Sequence, residues 1–162
     1  MKDILNLSGV SLESDFMEIL NKRAKFDYFI EEEIEAGVVL TGTEIKSIRA
    51  GKCNIKDSYG IVRNGEVYLL NMYIAKYDEG NLFNHEETRS RKLLLHNKEI
   101  KKIDEAIKLQ GLTLIPVKGY FKDNKFKILL GICKGKKNFD KRETIKMRDI
   151  KRNVEKNLKD YR

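Results

Sequence analysis

The side chains with acid–base potential gather at Glu31-Glu32-Glu33 and Glu35. Paired carboxylates can act as general acid and base when one of them keeps its proton near neutral pH. In an extended chain Glu31, Glu33 and Glu35 point to the same face, with no histidine nearby in sequence, and a solvated strand face accounts for them better. Cys53 and Cys133 stand far apart, neither is in a C-x-x-C pair, and no base can be named for either. They read as packing residues in a reducing cytosol, and a zinc ribbon or disulfide framework is excluded. His85 and His96 are the two histidines of the chain, too few for a histidine-based metal site. Lys134-Gly135-Lys136-Lys137 lacks the spacing and the hydroxyl residue of a phosphate-binding loop, and no serine sits in an elbow motif. The expectation is a protein that binds without turning anything over, using no cofactor and no metal.

The binding chemistry on offer is cationic and aromatic. Lys22, Arg23, Arg89, Arg91, Lys92 and Lys127 supply positive charge. Arg89 and Arg91 share a parity beside a long polar segment, which suggests phosphate contact. Tyr28, Phe29, Tyr59, Tyr73, Tyr77 and Phe83 have faces on which unpaired bases could stack, although a strand aromatic is more often core. Charge is also unevenly placed. Of a net +8 in 162 residues, Lys134–Arg162 holds twelve Lys/Arg against five Asp/Glu, a net +7. Residues 1–133 are near neutral and Met1–Leu20 is acidic. A neutral body with a basic tail points to a polyanion partner, which in a cytosol is usually nucleic acid.

The elements that must position these residues are mostly strands. The chain is 41% hydrophobic, enough to build one core, and no window approaches the roughly 20 apolar residues of a membrane span. No basic n-region leads into an apolar stretch, so no secretory signal is expected. Residues 1–20 form an atypical acidic extension, with a short helix from Leu12 to Asn21 capped by Ser11. From Phe26 to Leu40 the apolar period is two, with a bulge expected near Glu32, whose parity is wrong. Thr43–Ala50 reads as a short helix stopped by Gly51. Ile55–Arg63 and Val67–Ala75 flank Asn64-Gly65, a strong hairpin signal. Lys76–Arg91 reads as a loop, and Asn97 begins a helix with Ile100, Ile103 and Ile107 inward, ended by Gly111. Leu112–Lys122 and Lys125–Cys133 form a second hairpin around Asp123-Asn124, with Pro116 marking its first strand as an edge or a late start. Five or six strands with one or two short helices fit a mainly β fold. It is either an oligonucleotide-binding (OB)-type barrel, partly open and of Greek-key topology, over residues 21–133, or an α+β sandwich.

Residues 134–162 cannot build a core. Met147, Ile150, Val154, Leu158 and Tyr161 fall on one helical stripe, too thin to hold a helix alone. The tail is expected to be disordered when free and helical from about Glu143 on a partner.

Several motifs, in order, resemble one known family. Asn21-Lys-Arg-Ala-Lys-Phe-Asp-Tyr-Phe-Ile-Glu-Glu32, Glu35-Ala-Gly37, Gly42-Thr-Glu-Ile-Lys-Ser-Ile-Arg-Ala-Gly51, Asp57-Ser-Tyr59 and Thr88-Arg-Ser-Arg-Lys-Leu-Leu-Leu95 resemble the SsrA-binding protein (small protein B, SmpB) family. So do Gly135-Lys-Lys137, Asp140-Lys-Arg142 and Ile145-Lys-Met-Arg148. The resemblance implies a cytoplasmic OB-fold protein that binds the tRNA-like domain of transfer-messenger RNA (tmRNA). It then delivers that RNA to stalled ribosomes for trans-translation. It also implies an RNA-binding surface at Glu35, Leu94 and Lys127. Tail residues Lys136, Lys137, Phe139, Asp140, Lys141, Arg142, Lys146 and Arg148 would face the small-subunit decoding centre and mRNA channel. Phe139 departs from the polar aromatic or His common before Asp-Lys-Arg, which keeps base stacking and loses a side-chain hydrogen bond. The residues alone also fit a general single-stranded RNA-binding or ribosomal protein, or an adaptor whose basic helix docks an acidic partner.

Overall fold

The structure is a computed structural model describing residues 17–79 and 84–160. In chain order come β1 (Glu18–Leu20), α1 (Lys22–Asp27), β2 (Tyr28–Val38), α2 (Gly42–Arg49), β3 (Cys53–Asn54), β4 (Tyr59–Arg63), β5 (Glu66–Leu70) and β6 (Tyr73–Ile74). They are followed by β7 (Arg91–Leu94), α3 (Asn97–Gln110), β8 (Thr113–Lys122), β9 (Lys125–Gly135) and α4 (Asn138–Asp160). The body is mainly β with short helices. Strands run in the order β1-β8-β4-β5-β7-β2-β9, and β9 also pairs with β8, so the run from β8 to β9 comes back to β8 while β1 stays outside it. All of these pairings are antiparallel. β3 and β6 form a separate two-stranded ladder.

The core is what the alternation dictates. Ile34 and Ala36 of β2, Val67 and Leu69 of β5, Leu93 of β7 and Ile128, Leu130 and Ile132 of β9 are all buried. Ile100, Ile103 and Ala106 of α3 pack on the same cluster. Both hairpins form at the expected turns. Asn64 and Gly65 take φ of 51° and 74°, and Asp123 and Asn124 take 52° and 62°, the left-handed values a two-residue hairpin loop requires. The β2–β9 register shifts between Ile30 and Glu32, as the odd parity of Glu32 demands. Gly111 ends α3 at φ 64°.

Five expectations change. Residues 1–16 lie outside the description, so the helix expected from Leu12 is not described there. Glu18–Leu20 is a strand on β8, and the Asn21 N–H continues that pairing by donating to the Val117 carbonyl at 2.9 Å. Lys22–Asp27 is helical, not the start of β2, because Ala24 buries against Ile115 and Cys133 while Asn21 Nδ2 donates to the Pro116 carbonyl. The second strand of the first hairpin breaks at Asn71, φ 62°, and its partner begins only at Tyr59. The strand holding Pro116 is not an edge strand: β8 pairs with β9 on one side and with β4 at Leu114 and β1 from Lys118 on the other, and Pro116 falls in the gap between those two partners, where no strand calls for its missing donor. β9 runs on to Gly135, and α4 begins at Asn138, earlier than Glu143, because Asp140 accepts from the Lys137 N–H at 3.2 Å. Beyond its first turns α4 is exposed through residue 159.

Candidate nucleic-acid interface

Register lines up one row of residues across five strands. Leu94 of β7 faces Gly37 of β2, which faces Lys127 of β9, which faces Tyr120 of β8, which faces Glu18 of β1. A second row, two residues along, holds Glu35, Leu129, Lys118 and Leu20. The inward neighbours Ala36, Ile128 and Gly119 are buried, so these rows form the outer face. Gly37 leaves a gap in it: a Cβ there would lie 3.4 Å from Leu94 and 3.6 Å from Lys127 Nζ. Leu94 is 55% exposed beside this gap, over a shallow depression lined also by Leu40, Ile45 and Phe126.

Glu35 is exposed yet well partnered. The Tyr120 hydroxyl donates to it, and Lys122 Nζ stands 3.6 Å away. The Tyr120 hydrogen bond, with Lys122 and Lys127 adding their charge, holds its carboxyl below the usual carboxylate range against a weaker opposing effect of burial. Burial and the same carboxylate push the Tyr120 phenol up, so it stays a proton donor. The patch thus offers a fixed carboxylate acceptor, two ammonium groups and an apolar shelf. Such a set can take base amino groups or ribose hydroxyls, phosphates and a base face, respectively. Tyr120 and Lys122 were missed in the sequence. Their signal was there, since Lys118, Tyr120 and Lys122 alternate directly across the Asp123-Asn124 turn from Lys125 and Lys127.

Arg91 does not belong to this surface. It is fully buried, pairs with the equally buried Glu44 of α2, and donates to the carbonyls of Met72, Arg89, Glu87 and Glu86 at 2.6, 3.0, 3.2 and 3.5 Å. Arg89 is half-buried and reaches the other Glu44 oxygen at 2.6 Å. Burial alone would raise the Glu44 pKa, but the Thr41 N–H and the two guanidinium groups together bring it below the usual carboxylate value. Burial lowers the Arg91 pKa, opposed by Glu44. The Arg89–Arg91 pair is therefore a structural clamp joining α2 to the segment before β7. Lys92 is on the outer face, 3.6 Å from Glu66. Lys22 and Arg23 are exposed on α1; Lys22 lines a groove with Lys25, Lys118, Arg148 and Arg152, and Arg23 lies 3.7 Å from Asp27.

Phe29, Tyr59 and Tyr73 are the most exposed of the candidate stacking residues, while Tyr28 and Tyr77 are half-buried and Phe83 lies outside the described residues. In the tail, Lys137, Phe139, Arg142, Lys146 and Arg148 are exposed. Lys136, Asp140 and Lys141 are only partly so. Burial pushes the Cys53 and Cys133 thiols up to about 11, consistent with inert packing residues. Among the described residues no group of His, Cys, Asp and Glu is placed to hold a metal, and no helix is long and apolar enough to cross a membrane.

The family model described as SmpB protein matches residues 18–160. The SsrA-binding protein of Halalkalibacterium halodurans is 57% identical over 140 residues, 86% of this chain and 91% of that protein. The SsrA-binding protein of Desulfitobacterium hafniense is 53% identical over 152 residues, 94% of each chain. A solved structure described as "tmRNA-SmpB: a journey to the center of the bacterial ribosome" matches with a TM-score of 0.63 and 42% identity, over 79% of this chain and 94% of that one.

Proposed function

Because this chain belongs to the SmpB protein family, we propose that it binds the tRNA-like domain of tmRNA and delivers it to stalled ribosomes for trans-translation. The observation that carries this reading is the row Leu94–Gly37–Lys127–Tyr120 with Glu35 beside it. Three residues that the family resemblance assigns to RNA, scattered over 93 positions of sequence, meet on one solvent-facing patch. The self-closing strand pairing is read as an OB-type barrel, which presents such a face on a rigid scaffold. Residues 18–135 form that body and the rest of the chain to Arg162 is the ribosome-directed tail.

The body reads RNA shape and backbone, not a long base sequence, since its cations are spaced singly among carboxylates. Lys137, Phe139, Arg142, Lys146 and Arg148 are exposed for contact with the decoding centre and the mRNA channel, where counterion release favours binding. Ile150, Val154 and Leu158 present a bare apolar stripe, and the distal helix takes its order from the surface that covers it. The protein works in the cytoplasm as a binding partner, not as an enzyme. Sequencing the RNA that co-purifies with the chain from its own cells tests the reading: tmRNA should dominate, and a heterogeneous RNA pool would refute it.

A further inference from the structure

We infer that the C-terminal end of α1 is a socket that aims the tail helix, with Asp27 as its positioning residue, and that Lys141 and Lys136 serve this socket rather than ribosomal RNA. The inference rests on the proposed ribosomal role of the tail.

Several contacts between tail and body converge on the C-terminal end of α1. The Asp27 carbonyl accepts the Lys136 N–H at 2.8 Å, and Asp27 Oδ1 lies 3.4 Å from Lys141 Nζ. Lys136 Nζ donates to the Lys25 carbonyl and to Thr144 Oγ1, both at 2.9 Å, while sitting 4.8 Å above the Phe29 ring. The Arg148 guanidinium stands 5.5 Å over Phe26. Lys136 thus links α1, β2 and the second turn of α4 at once. Arg142, one residue after Lys141, is exposed and takes no part in the Asp27 ion pairs.

A helix of 23 residues is about 34 Å long, so a tilt of roughly 15° at its base displaces its tip by about 9 Å. A partner that must receive the tip in a narrow channel tolerates far less than that. The Asp27–Lys141 pair is half-buried and still reached by solvent, so it adds only modestly to stability. Its work is direction. The acidic side chain lies on the body, with Arg23 of the same helix 3.7 Å away, and reaches across to Lys141 of the tail at 3.4 Å, which is the arrangement a hinge restraint needs. Lys141 and Arg142 have therefore been given different tasks although both are cations in one motif.

The test is a charge swap in the full-length protein, read by tmRNA-fragment binding and by peptide tagging on stalled ribosomes. Asp27→Lys and Lys141→Asp should each keep RNA binding within about twofold and lower tagging about tenfold, and the double variant should recover most of the loss. Arg142→Asp should not be rescued by Asp27→Lys. Asp27→Asn, which keeps the side chain's shape and removes only the charge, guards against a folding defect and should show a smaller loss at an unchanged melting temperature. Full tagging by Asp27→Lys would overturn the inference, as would a swap that stays as inactive as Lys141→Asp alone with RNA binding intact. Wild-type protein that binds no tmRNA fragment would instead overturn the functional reading beneath it.

Discussion

Replacing Arg91 with Met separates a core residue from an RNA ligand. The side chain keeps much of its length and loses every donor. Glu44, fully buried, then has Arg89 as its remaining cation, and the carbonyls of Met72, Arg89 and Glu87 lose their common partner. Removing one member of a buried pair costs about 3–5 kcal/mol because the survivor stays charged and desolvated. Arg89 at 2.6 Å offsets part of this, so the lower end, about 3 kcal/mol, is expected. Against a net stability of about 5–15 kcal/mol that is a large fraction. For a chain of this size it lowers the melting temperature by about 10 °C. Thermal melts followed by circular dichroism give the stability. RNA affinity measured well below the melt should change less than about threefold, since one kcal/mol is already fivefold. Glu44→Leu/Arg91→Met should be more stable than Arg91→Met alone, because the cation it leaves unpaired, Arg89, is half-exposed whereas Glu44 is fully buried. An unchanged melt with affinity reduced tenfold or more would refute the buried-clamp reading and return Arg91 to the phosphate contacts.

Lys127→Glu should weaken binding of the tRNA-like domain and flatten the slope of log K against log salt by about one, the signature of a lost phosphate contact. A salt slope equal to that of wild type removes Lys127 from those contacts. Glu35→Ala and Tyr120→Phe should each weaken RNA binding by about 1 kcal/mol with little change in the melt, since both groups lie on the outer face. RNA cleavage by the pure protein, lost in Glu35→Ala, would contradict a purely binding role. Glu44 has a lowered folded-state pKa, so its stabilisation is complete above the ordinary carboxylate value of about 4.3 and is lost as pH falls through the lowered value. The stability gap between wild type and Glu44→Gln should therefore be full at neutral pH and shrink below about pH 4; a gap that widens in acid would show the sign to be wrong. Ile150→Asp/Val154→Asp should leave the melt and RNA binding alone, both positions being half exposed, and reduce tagging on the ribosome. A lowered melt would show that the stripe packs on the body.

How far the molecule could be read from its residues depended on how local the deciding interaction was. The two hairpins, the bulge at Glu32 and the end of α3 at Gly111 rest on neighbours in sequence, and all appear where patterning puts them. β1 does not, because three residues become a strand only through β8, about a hundred positions away. Helix α1 was hidden by Phe26 and Tyr28, whose parity matches the strand that follows; Asn21 and the burial of Ala24 decide otherwise.

Arg91 is the instructive case, because a local rule bears on it. A surface shared by Arg91, a phosphate-contact candidate, and Leu94 would need both on one face of a single strand in which they lie three residues apart. Alternation forbids that: residues an odd number apart in a strand face opposite sides. Leu93 shares the parity of Arg91 and is fully buried, so either Leu94 or Arg91 had to leave the surface. An arginine on the core side then requires a buried acid. The sequence holds one where a helix cap would put it: Thr41 and Glu44 stand in the spacing of a capping box, and Glu44 serves that cap as well as both arginines. What the sequence could not supply was the pairing of two elements 47 positions apart. That pairing turns two apparent phosphate ligands into the clamp beside the strand that presents Leu94 and leaves the outer face to Glu35, Leu94, Tyr120, Lys122 and Lys127.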